Sequence, residues 1–249
     1  MPRRFRPQLV VEFIGVPGAG KTRIAAALAQ ALSVRFDVAF PDRYEYRRWS
    51  LSRAEALRLD LRHGRALAGY RLRRLCFDVR RAGRPGAWTV VHSLRNSRFP
   101  GLLLERMRRD PRRVWVLDEW LLHRTIEESL RSYDADAAFA EAFAFPPART
   151  LPMTYVCVEV DLAVARERIL RDVPAYRWFA RDGNTEAIER TLAGWQSRLD
   201  GLKAAMRRRG LPCLEVEGTA DVDSNAERLA FELANALEAP ATRNRCRTK

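Results

Sequence analysis

"FIGVPGAGKTRIAAAL", residues 13–28, places Gly15, Gly18, Gly20, Pro17 and Lys21 between an apolar run and an alanine-rich one. The residues before it, 8–15, read as a buried parallel strand. After it, Ile24, Leu28 and Leu32 recur every four residues, the stripe of an amphipathic helix. The intervening Gly15-Val16-Pro17-Gly18-Ala19-Gly20-Lys21-Thr22 fits G-x-x-x-x-G-K-[ST] without a mismatch. Glycines let successive backbone N–H groups turn inward around an anion, because no side chain blocks the approach. The helix that follows directs its positive end at the same point. Lys21, one of only three lysines among 45 basic residues, adds a mobile charge for β- and γ-phosphates, and the Thr22 hydroxyl can ligate Mg²⁺. The stretch 15–22 is therefore expected to hold a nucleoside triphosphate, ATP, with Mg²⁺, through Gly15, Pro17, Gly18, Ala19, Gly20, Lys21 and Thr22.

A second metal-side residue is expected at the end of another buried strand. "RRVWVLDEW", 112–120, supplies Asp118 after a hydrophobic run. Glu119 is a candidate for activating a nucleophile or binding an acceptor; an acidic helix cap is the structural alternative for both residues. The remaining strands read as "DVAFP" (37–41), "WTVVHS" (88–93), "MTYVCVEVD" (153–161) and "CLEVEG" (213–218). Between them lie helical patterns, the longest carrying Ile188, Leu192, Trp195, Leu199, Leu202 and Met206. Asp161 is placed to cap the helix after the fourth major strand, and Ser224 with Glu227 offers a capping box for the last one. Strands alternating with helices predict an α/β fold: a three-layer sandwich of the P-loop NTPase type, with a parallel sheet of about five strands covered on both faces. One domain is expected over 8–238, with 44–110 and 172–185 as excursions from its core and flexible termini at 1–7 and 239–249.

Composition narrows the function classes. The chain has 249 residues, 47% apolar and 31% charged, as soluble globular proteins do. No apolar run approaches the ~20 residues of a membrane span, and the first strand is broken by Glu12, so a cytoplasmic protein with no membrane partner is expected. Net charge is +14, carried by 42 arginines. Arginine's rigid fork suits polyanions, whereas a general bias toward arginine accounts for the same number without a partner. Cys76, Cys157, Cys213 and Cys246 form no C-x-x-C pair, which points to reduced core thiols. The histidines His63, His92 and His123 show no metal-binding spacing.

The glycine loop and Asp118 together resemble the P-loop kinases of the nucleoside and nucleotide kinase group, thymidylate kinase-like in particular. The resemblance runs from about residue 8 to 238 and extends to "VEVDLAVARERILRDVPAYRWFARDGN" and "LEVEGTADVDSNAERLAFEL". It implies a helical acceptor-side region at 44–110 and a lid at 172–185, with Arg168 and Arg171 flanking the lid and stabilising charge on the transferring phosphoryl group. Arg177 and Arg181 fall inside that lid. The resemblance also places Gly218 and Thr219 in the loop that passes the adenine. The pattern departs from the family where an arginine usually follows the mid-chain acid, since Glu119 and Trp120 stand there. After the second strand "PDRYEYRR" offers Asp42, Arg43 and Glu45. Asp42 is a candidate base for an acceptor hydroxyl, a turn residue after Pro41 being the alternative. Tyr46, Trp49, His63 and Arg95 are candidate acceptor contacts.

The expected activity is transfer of the γ-phosphoryl group of Mg-ATP to a hydroxyl or phosphate acceptor, such as a nucleoside, a nucleotide or a related metabolite. Two other readings compete: a P-loop ATPase that uses Asp118-Glu119 for hydrolysis, and a nucleic-acid end kinase suggested by the positive charge. A small-molecule acceptor is the expected partner, and a homodimer is compatible with the sequence.

Overall fold

Seven consecutive buried residues, Leu9–Gly15, form strand β1 and leave no polar edge on either side. That pattern fits only a central strand with neighbours on both flanks and helices on both faces. The computed structural model of the chain describes residues 9–41, 61, 72, 75, 90, 103, 105–107, 110, 112–118, 120, 122–123, 151–172 and 185–238. Within these, β1 lies between β3 (Val114–Leu117) and β4 (Met153–Glu159). The edges are β2 (Val38–Ala39) and β5 (Cys213–Glu217), giving one parallel five-stranded sheet in the order β2-β3-β1-β4-β5.

Helix α1 (Lys21–Ser33) leaves β1 toward β2 and β3, while α2 (Leu162–Arg171) and α3 (Thr185–Arg208) connect β4 to β5. Right-handed crossovers in opposite directions put these two groups on opposite faces. Helix α4 (Val222–Glu238) returns from β5 to pack on α1. The buried stripe of α1 is Ile24, Ala25, Leu28, Ala29 and Leu32, and α4 answers it with Ala226, Leu229, Leu233 and Ala234. The alanines let the two helices approach closely, while the leucines fill the space beneath them. On the other face α3 buries the predicted residues Ile188, Leu192, Trp195, Leu199, Leu202 and Met206.

Local signals set the helix ends. The Asp161 carboxylate caps α2 by accepting from the Ala163 N–H at 2.7 Å, as expected. Helix α3 stops at Gly210, whose φ of +61° turns the chain, with Leu211 N–H donating to the Met206 carbonyl and Gly210 N–H to that of Arg207. The cap of α4 differs from the expected Ser224–Glu227 box. The helix starts at Val222, and Asp221 accepts from the Ser224 N–H at 2.8 Å. An aspartate one residue ahead of the helix captures that amide first, and its bond to the Ser224 N–H holds the Asp221 carboxyl below its usual range.

A second correction concerns 88–93. Val90, the described residue of that stretch, is helical. β-Branched composition alone does not make a strand where no sheet edge is offered to it. Leu103, Glu105, Arg106 and Met107 are helical.

The thiols of Cys157 and Cys213, on adjacent strands, stand 2.8 Å apart as free cysteines. A hydrogen bond from Cys157 lowers the Cys213 thiol's pKa, and the same bond raises that of Cys157. At the sheet edge, Lys203 of α3 reaches both Glu159 and Glu215 and joins the helix to β4 and β5.

Candidate nucleotide site

The carboxyl ends of β1, β3 and β4 come together because the strands are parallel, and each delivers a different component there. β1 runs into the loop 15–20, and α1 begins at Lys21 with Gly20 as its N-cap. At Gly18, φ is +79°, and a Cβ would stand 2.6 Å from the Ala165 carbonyl oxygen of α2. Any larger residue would force the loop away from α2. Lys21 is buried, 6% exposed, and its Nζ donates to the Gly15 and Val16 carbonyls at 3.1 Å each. The ammonium is thereby carried by the loop it serves rather than extended into solvent.

β3 ends at Leu117, so Asp118 sits just past the strand, 1% exposed. Its Oδ2 accepts from the Thr22 hydroxyl at 2.6 Å across 96 residues of sequence. This contact unites the two residues that the sequence offered as metal ligands. Their oxygens are hard donors of the kind Mg²⁺ selects. Among the described residues no group of three or more His, Cys, Asp or Glu side chains is set to hold a metal. A hydroxyl and one carboxylate suit an ion whose other ligands are phosphate oxygens and water. The residues present therefore fit Mg²⁺ bound together with a nucleotide.

β4 supplies α2, which carries Arg168. Its guanidinium donates to the carbonyls of Gly18 (3.1 Å) and Ala19 (3.3 Å), and also to that of Gly218 (3.0 Å). It grips the outer side of the loop and ties it to the turn after β5. Arg171 lies on the solvent side, its side chain 75% exposed and paired with Glu167 one turn earlier. The two arginines, three residues apart, thus serve different surroundings.

The turn after β5 comes close to the glycine loop. The Gly218 N–H donates to the Glu159 carbonyl at 2.6 Å, and a Cβ on Gly218 would overlap the Ala19 carbonyl oxygen. Thr219 donates its hydroxyl to Glu217, and Asn225 donates to the Glu217 carbonyl at 2.8 Å, which fixes the start of α4 against the turn. Gly218 of the expected base-side loop therefore lies against the glycine loop, and Thr219 is tied to Glu217 at the end of β5.

Other expectations lie outside the described residues: Asp42, Arg43, Glu45, Tyr46, Trp49, His63, His92, Arg95, Glu119, Arg177 and Arg181. His123 is buried, with its ring centroid 5.4 Å from that of Trp195, in keeping with a packing role. One participant escaped the sequence reading. Glu12 is fully buried in β1, and its Oε1 accepts from the main-chain N–H groups of Trp120 (3.1 Å) and His123 (3.0 Å). The signal available was a single acid inside an apolar strand, which demands a buried partner.

A glycine loop leaving the central strand of a parallel β2-β3-β1-β4-β5 sheet into a helix defines the P-loop nucleotide-binding fold. No protein-family model matches the chain, and no curated protein matches its sequence. Among solved structures it is similar to a deoxyadenosine kinase from M. mycoides with bound dCTP, at 13% identity and a TM-score of 0.42, over 91% of this chain and 99% of that one. The same enzyme with bound dATP matches at 10% identity and a TM-score of 0.44, over 90% and 99%. A gluconokinase from Sinorhizobium meliloti 1021 matches at 17% identity and a TM-score of 0.40, over 94% and 97%. Likeness at these values transfers no activity, and the fold stands on the strand order and the loop.

Proposed function

We propose that the chain is an ATP-dependent kinase that transfers the γ-phosphoryl group of Mg-ATP to a hydroxyl or phosphate on a small molecule. The observation that carries this reading is the 2.6 Å bond between Thr22 and Asp118 beside the glycine loop. It joins a phosphate-binding turn to a metal-side acid in one place. The backbone N–H groups of 15–20 and the start of α1 bind the triphosphate tail, and Lys21 exchanges its loop carbonyls for phosphate oxygens. Thr22 and Asp118 hold Mg²⁺, which when bound neutralises charge on the β- and γ-phosphates.

Arg168 keeps the loop's carbonyls turned outward, so that its amides face the anion. Arg171 contributes to charge on the transferring group when its pair with Glu167 opens. Gly218 and Thr219 border the base. Asp42 serves as acceptor base and Glu119 as an acceptor or nucleophile contact, with the acceptor held by 44–110 and 172–185 acting as lid. One kinase domain over 8–238, working in the cytoplasm, completes the reading. No helix among the described residues is long and apolar enough to cross a membrane.

The test is a screen with γ-labelled ATP and MgCl₂ against nucleosides, nucleotides, sugars and antibiotics, with Lys21→Ala as the control. Label on an acceptor, lost in the variant, is the expected result. Release of label only as inorganic phosphate would replace the kinase by an ATPase. Label appearing only on DNA or RNA ends would make it a nucleic-acid end kinase.

A further inference from the structure

Asp118 cannot be fixed by β3 alone, because the strand ends one residue before it. What holds the chain after it is Glu12. In the sheet register Glu12 stands opposite Leu117, the last residue of β3. From there its side chain reaches past the strand end and accepts from two main-chain N–H groups, those of Trp120 and His123. Both bonds terminate on the same oxygen, Oε1, and the residue is 0% exposed. Leu122 and His123 are helical, so the carboxylate receives amides at the opening turn of a helix, where such groups lack partners within the helix itself. His123 is also braced from the other side by the Trp195 ring of α3.

Asp118 therefore sits between two anchors. Upstream is the β3 ladder, and downstream are the amides held by Glu12. β1 thus supplies both partners of the metal-side contact: its end becomes the loop that leads to Thr22, and its middle secures the chain that carries Asp118.

We infer that Glu12 is a positioning residue for Mg²⁺, acting through the main chain to set Asp118 opposite Thr22. This rests on the Mg-nucleotide reading of the site. Both N–H groups need an acceptor oxygen at the correct reach, and a single oxygen supplies it. Glutamine in its place presents the same oxygen at the same distance. Aspartate keeps the charge but withdraws the oxygen by one methylene, and methionine fills the space with no acceptor of comparable strength.

The test titrates MgCl₂ against binding of a fluorescent ATP analogue to wild type, Glu12→Gln, Glu12→Asp and Glu12→Met, with thermal midpoints recorded in parallel. The Mg²⁺ concentration at half-saturation should rise on the order of tenfold in Glu12→Asp and Glu12→Met, the scale typical of groups that orient a metal ligand. It should stay close to wild type in Glu12→Gln, and binding of the analogue in EDTA should be unchanged in all three variants. Either loss-of-reach variant suffices if the other does not fold. Wild-type Mg²⁺ dependence in the folded Asp and Met variants overturns the inference. So does a rise in Glu12→Gln as large as in Glu12→Asp, which would make charge the cause. Mg²⁺-independent binding to the wild type removes the underlying reading of the site, and the inference with it.

Discussion

Lys21 and Gly218 show how much a single position carries. Lys21→Ala removes the one ammonium held at the glycine loop and should abolish ATP binding by calorimetry while leaving the circular dichroism spectrum intact. Gly218→Ala puts a methyl group against the Ala19 carbonyl and should raise the ATP dissociation constant on the order of tenfold, since neither backbone can yield cheaply. Lys21, Thr22 and the glycines were legible in the sequence because the loop is local: eight consecutive residues contain the whole device. Asp118 was legible as an acid ending an apolar strand. The Glu12 bonds and the closeness of Gly218 to Ala19 were not, because they join residues from 108 to 199 positions apart and depend on strand order.

Among the elements, α1 and α3 show periodicity strong enough to read directly, and the structure buries the residues it predicts. Leu28 is fully buried between α1 and its neighbours, so Leu28→Ala should lower unfolding free energy by about 2–5 kcal/mol in urea titrations. Short apolar runs were harder, as Val90 shows: the composition of 88–93 suits a strand, yet Val90 is helical. The edge where α3 meets β5 gives a pH dependence. The hydrogen bond from Lys203, followed by Arg207, holds Glu215 below its usual carboxylate range. Desolvation lowers the Lys203 pKa, but its bonds to Glu159 and Glu215 outweigh that and raise it. A depressed carboxylate contributes stability that is complete above its unfolded pKa and is lost as pH falls through the folded value. The thermal midpoint of the wild type should therefore drop more between pH 6 and pH 3 than that of Glu215→Gln.

For the whole molecule, ligand binding and charge are the relevant quantities. On the proposed reading Mg-ATP binds the folded chain alone, so at a hundred times its dissociation constant it should stabilise the protein by about 2.7 kcal/mol. Differential scanning fluorimetry should show the resulting rise in midpoint for the wild type and none for Lys21→Ala. The +14 charge does not collect into a single device among the described residues. Arg35, Arg166, Arg171, Arg207 and Arg228 each pair with a glutamate at the surface. Such exposed pairs are worth little individually and fade with salt. The excess of arginine was visible in composition, whereas its distribution over separate helices needed the fold.

One guanidinium, that of Arg168, is shared by two turns whose carbonyls come from opposite ends of the chain, Gly18 and Ala19 near the start and Gly218 near the finish. The two turns are consequently a single mechanical piece. If the turn after β5 borders the base, as proposed, remodelling it to admit a different purine or pyrimidine would drag on the glycine loop, so altered base preference should come at the expense of grip on the polyphosphate unless Arg168 is replaced in the same step.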